Sequence, residues 1–113
     1  MAEKTIDVLG TPYRLIVCSE MENKRLDGCD GFCDETAKKC VVQNYETSKN
    51  DLQCKENLQM QSNKVVRHEL IHAFLFESGL AENCEWAKNE EMVDWVAKQF
   101  PKLQKAFEAA GAL

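Results

Sequence analysis

The chain has 113 residues, 44% of them apolar and 29% charged, and a formal net charge of −5. That length allows one domain with a modest core, and the composition is that of a globular protein rather than a disordered tail or a fibre. The acidic balance, with Lys and Arg scattered, repels phosphate backbones and argues against a nucleic-acid partner. The apolar runs are too short to span a bilayer and Met1-Ala2-Glu3-Lys4-Thr5 lacks a secretory core, so no membrane and a cytoplasmic compartment are expected.

Thr5 to Leu9 and Tyr13 to Cys18 read as two strands around a Gly10-Thr11-Pro12 turn. Leu26 to Glu35 carries the turn formers Asp27-Gly28 and Asp30-Gly31. Lys39 to Tyr45, with Val41 and Val42, reads as a third strand, which predicts a three-stranded antiparallel sheet needing cover on one face.

The second half is helical in pattern. Ser48-Lys49-Asn50-Asp51 offers N-caps, and neither Gly nor Pro follows until Gly79, so one long helix should end near Ser78 with Gly79 behind it. The stretch Gln61-Ser62-Asn63 is where it could break. A further helix should start near Asn89 and carry Met92, Trp95, Val96 and Phe100 on one side, with Pro101 kinking it or opening a last helix before Gly111. The expected architecture is one α+β domain over 1–113, with a strand region at 1–47 and a helical region at 48–113.

With a cytoplasmic location the six cysteines should be reduced. Cys29, Cys33 and Cys40 lie close in sequence but lack the Cys-x2-Cys spacing of a structural zinc site, and they read as buried or turn residues first.

His68-Glu69-Leu70-Ile71-His72 is the strongest chemical signal. On a helix, positions i and i+4 share a face, so both imidazoles can reach one ion. Zinc suits two neutral imidazoles plus a carboxylate, because a fourth position stays open for water. Glu69, beside that face, is placed to act as general base. His68 and His72 are the only histidines of the chain.

A third ligand must come from elsewhere. Asn89-Glu90-Glu91 lies 17 to 19 residues beyond His72, on the following helix. Glu91 is the first choice, since Trp95 four residues on would share its core-directed side; Glu90 is the alternative, with Asp94 one turn further along its face. Cys84, in the connecting segment, is a soft competitor. Asp94 could instead hold a ligand histidine through its outer ring nitrogen. Trp86 and Trp95 read as core or cleft-wall aromatics, and Arg67 as solvated or as a grip for a substrate carboxylate. An edge of the sheet could bind an extended substrate by strand addition, though the sequence does not say which edge.

From Val65 to Pro101 the chain resembles compact HExxH metallopeptidases, in particular the ImmA/IrrE-like group of mobile elements and bacteriophages. The residues that carry this are His68-Glu69-Leu70-Ile71-His72-Ala73, Asn89-Glu90-Glu91 and Trp95-Val96-Ala97 before Phe100-Pro101. The resemblance implies a minimal zincin-like fold with zinc on His68, His72 and Glu91 or its neighbour. It also implies catalysis by Glu69 on a peptide or protein substrate. The segment Glu91-Met92-Val93-Asp94-Trp95 departs from the Glu-Ala-Asn pattern common in that group, which bears on any repressor-cleaving role. The rival reading is a zinc-binding phage accessory or interaction module that cleaves nothing.

Overall fold

A computed structural model describes residues 1–47 and 55–113. Strands β1 (Ala2–Val8) and β2 (Thr11–Cys18) form an antiparallel hairpin, from Ala2 opposite Val17 to Val8 opposite Thr11. Leu9 and Gly10, at φ 51° and 89°, make its two-residue turn, whose twist suits a tight hairpin. The turn therefore precedes the expected Gly10-Thr11-Pro12, and Pro12 is already a strand residue. It is tolerated there because the neighbouring strand β4 (Lys39–Gln43) pairs with β2 only from Arg14 onward.

The sheet corrects the expected topology. It has four strands in the order β1-β2-β4-β3, and β4 runs parallel to β2 and antiparallel to β3 (Gly31–Asp34). Strand β3 lies in the stretch read as turn. Gly28, at φ 77°, does turn the chain, but Gly31 is a strand residue chosen for closeness. A Cβ there would fall 2.9 Å from the Val41 carbonyl oxygen and from Val65 Cγ1, and 3.3 Å from Glu69 Cγ. The missing side chain lets the main helix approach the sheet at the position of Glu69.

Side-chain alternation gives the sheet two apolar faces. Val8, Tyr13, Leu15, Cys40 and Val42 pack with Val65 and Ala73 of helix α1 (Leu58–Glu77). On the other face, Ile16, Cys18 and Val41 are covered by Leu26, carried on a 3-10 turn (Lys24–Leu26) that Asn23 caps. Leu26 is wholly buried, which stabilises the fold by about 1.5–3 kcal/mol.

Helix α1 is capped by Asn57, whose side-chain oxygen accepts from the Met60 N–H at 3.0 Å. The caps expected at Ser48 to Asp51 fall outside the described residues. The helix runs unbroken through Gln61-Ser62-Asn63 and stops at Ser78, with Gly79 left-handed at φ 82°. Its last turn is tied to the hairpin by Glu77, which accepts from the Tyr13 hydroxyl at 2.7 Å and the Thr11 hydroxyl at 3.2 Å and pairs with Lys38.

A short helix α2 (Leu80–Asn83) and a 3-10 turn (Glu85–Lys88) lead to helix α3 (Glu90–Ala109). The Asn89 side chain caps α3 by accepting from the Met92 N–H at 2.7 Å. Pro101 neither ends α3 nor opens another helix. Lacking an N–H, it leaves the Ala97 carbonyl without its helical donor. The Arg67 side chain fills that role, its Nε donating to Ala97 O at 2.7 Å. Arg67 is thus half-buried and structural on that edge rather than simply solvated. Trp86 and Trp95, expected in the core or a cleft wall, are 55% and 57% exposed, because α3 turns Val93 and Ala97 inward instead. Among the described residues, no helix is long and apolar enough to cross a membrane.

Candidate metal centre

The buried stripe of α1 is Ser62, Val65, Glu69 and Ala73, a helical spacing that aims Glu69 at the sheet. Each residue turns about 100° around the axis, so His68 and His72 lie to one side of that stripe, where α3 passes. The Asn89 cap fixes Glu90 as the first residue of α3 and brings it over both rings. Glu90 Oε2 is 3.1 Å from His68 Nε2, Glu90 Oε1 is 2.6 Å from His72 Nε2, and the two Nε2 atoms are 3.2 Å apart. Among the described residues, His68, His72 and Glu90 are the one group of three or more His, Cys, Asp or Glu side chains that could hold a metal, with ligand atoms all within 4.8 Å of one another.

The surroundings bias these groups toward ligation. Asp94 Oδ1 lies 3.4 Å from His68 Nδ1, so Nδ1–H, the ring nitrogen turned away from the group, can donate there and leave Nε2 free as an acceptor. Burial raises the Asp94 carboxyl, but Lys64, 3.5 Å away, and His68 outweigh it and hold it below its usual value. Burial pushes the His72 imidazolium toward its neutral form, against the pull of Glu90. The Glu69 carboxyl is raised to about 7, first by burial, with His68 opposing and Glu90 and Asp30 adding to the shift. Glu69 is only 7% exposed. A buried carboxylate on the core-facing stripe of a helix opposes folding, which is the pattern of a group kept for chemistry.

The donor set, two imidazoles and a carboxylate, is one that could hold a divalent metal such as zinc. Two nitrogens bound tetrahedrally at zinc's usual bond length would lie about 3.3 Å apart, close to the separation of the imidazole nitrogens here. Glu91 is exposed, and the first-choice third ligand of the sequence reading is not among the converging atoms, whereas Glu90 is. The choice of Glu91 leaned on a buried Trp95, and that ring faces solvent. Cys84 is outside the group, as are Cys29, Cys33 and Cys40. Cys18, Cys29, Cys33, Cys40 and Cys84 are free thiols, and Cys54 lies outside the described residues.

A cavity of about 440 Å³ opens beside the group, lined by Glu69, His72 and Glu90 together with Gly31, Phe32 and Cys33 of β3. Strand β3 is one of the two outer strands of the sheet, and three of its four residues line this cavity. The sequence reading missed β3 and Lys64. The retrievable signal for Glu90 was its place directly after the Asn89 cap, with Val93, Asp94 and Ala97 on its side of α3. The chain matches no protein-family model, no curated protein and no solved structure.

Proposed function

We propose that this chain is a zinc-dependent peptidase of the HExxH type, similar to the ImmA/IrrE-like group, acting inside the cell on a protein of a host or a mobile element. The observation that carries this reading is the convergence of His68 Nε2, His72 Nε2 and the Glu90 carboxylate next to buried Glu69. Zinc held there would polarise the scissile carbonyl and acidify a water molecule.

The chain's own groups supply the rest. Asp94 fixes the His68 tautomer, and burial keeps His72 neutral. Glu69, buried beside the group, can accept a proton from water at a carboxylate oxygen and return it to the leaving amine. The free edge of β3 offers backbone groups to an extended peptide lying across the cavity.

Glu69→Gln separates this reading from a metal-binding module that does not cleave. The variant should hold zinc as the parent does and lose hydrolysis of fluorescein-labelled casein by about 100-fold or more. Equal turnover by the two proteins would remove Glu69 from the mechanism. Zinc binding without hydrolysis by the parent would favour the non-cleaving module.

A further inference from the structure

A second cleft lies along α1 on the N-terminal side of His68. It measures about 340 Å³, and its lining includes Lys55, Lys64, Arg67 and Lys98 but no carboxylate. In a chain of net charge −5 this is a local reversal of sign. Among the described residues, only Lys64 of the four has an ion-pair partner, Asp94 at 3.5 Å. Lys55 donates to the neutral Gln61 amide oxygen at 3.2 Å, and Arg67 spends only its Nε on the Ala97 carbonyl. Among the described residues, the other three cations of the cleft make no ion pair. Their aliphatic stems and Met60 form the walls, so the cleft offers apolar sides with cationic heads.

The cleft neighbours the candidate metal centre, with Lys64 lining the cavities on both sides. The smaller of the two contains His68, Glu69, Asp94 and Gly31. Asp94 bridges the two, touching Lys64 on one side and His68 on the other. Four residues of helix separate Lys64 from His68, about 6 Å along the axis. An extended peptide advances about 3.3 Å per residue.

We infer that this basic cleft binds a carboxylate of the polypeptide substrate, two or three residues from the bond presented to the metal centre. The inference deepens the peptidase reading and rests on it for the identity of the ligand. The carboxylate has two sources, an acidic side chain or the end of a chain, and both present the same chemistry to lysine and arginine.

The test uses three acetylated, fluorescently labelled peptides on the full chain: a Gly-Glu repeat with an amidated end, its Gly-Gln counterpart, and the Gly-Gln peptide with a free C-terminus. Fluorescence anisotropy should show the Glu peptide binding about tenfold tighter than its Gln counterpart. That advantage should shrink as salt rises to about 0.3 M. If the free C-terminus alone earns the preference, the cleft reads chain ends and the proposal stands for that source. The double variant Lys55→Glu/Lys98→Glu changes two exposed residues and should abolish the preference while leaving the circular dichroism spectrum unchanged.

Equal binding of all three peptides, or a preference surviving in the double variant, would overturn the inference, as would tighter binding of a single-stranded oligonucleotide than of any peptide. Zinc content of the same samples keeps the two readings apart. A carboxylate preference in a chain that binds no zinc would sink the peptidase reading alone, and zinc binding without the preference would sink the cleft alone.

Discussion

Helix α1 presents two faces of opposite character. Toward the sheet it sets Val65 and Ala73 against Tyr13, Leu15, Cys40 and Val42, an apolar contact that hydrophobic burial explains. Toward α3 it sets Lys64, Arg67, His68 and His72 against Glu90, Asp94 and the Ala97 carbonyl. Charges and imidazoles gathered at a helix seam contribute little to stability compared with apolar packing of the same size. One face folds the protein, and the other gathers the side chains that could hold a metal. Glu69 sits where the two meet, on the apolar stripe but opening into the cavity of the polar side.

The contrast can be broken by substitutions on each side. The largest effect belongs to the apolar scaffold: Leu26→Ala on the far face of the sheet should cost about 2–5 kcal/mol in urea unfolding. Zinc affinity of the folded fraction should not change, and a loss of metal in step with stability would show that the two faces are not separable.

Glu69→Gln should act in the opposite direction on the metal-free protein. Its carboxyl is raised from 4.5 to about 7 in the fold, so the unfolded chain sheds the proton first and stability falls as pH rises from 4.5 to about 7. At 1.4 kcal/mol per pH unit, the variant gains at most about 3 kcal/mol at pH 8 and nothing at pH 4. A destabilised variant at pH 8 would mean that Glu69 serves the fold.

Arg67→Met should cost about 1–3 kcal/mol, because it leaves the Ala97 carbonyl without a donor. In a Pro101→Ala background the restored N–H can serve that carbonyl, so the cost should fall. A double-mutant cycle with no coupling would contradict the link between Arg67 and Pro101.

The smallest effect lies outside the seam, at Asp34 at the end of β3. The Thr36 hydroxyl bond and then Arg25 hold its carboxyl down at about 2. Its contribution is present above 3.8 and fades as pH falls toward 2, so Asp34→Asn should flatten the acid limb of the stability curve in that window alone. An unchanged acid limb would show that the pairing contributes nothing.

Much of the helical half is legible because its signals are local. Asn89 as a cap, Gly79 behind the long helix and the i, i+4 histidines each depend on neighbours within one turn. The sheet is less legible because its pairing is not local. Strand β3 is four residues long, follows two turn-forming pairs, and earns its place through the close approach of Gly31 to Val65 and Glu69 from another element. The parallel pairing of β2 with β4 likewise has no sequence signature in the residues that make it. At the candidate metal centre, the preference for Glu91 over Glu90 followed the expected burial of Trp95. The helix instead buries the small side of α3, Val93 and Ala97, and the bulk of Trp95 faces out. Pro101 read as a break or a kink because its compensating donor, Arg67, sits on a different helix.

The most direct test of the account is bound metal, measured by elemental analysis on protein purified without chelators, beside His68→Ala/His72→Ala and Glu90→Gln. The account predicts about one zinc per parent chain, none in the histidine double variant, and affinity weakened at least tenfold in Glu90→Gln but not in Glu91→Gln. Zinc retained without the two histidines, or no zinc in the parent after it is added back, would contradict it.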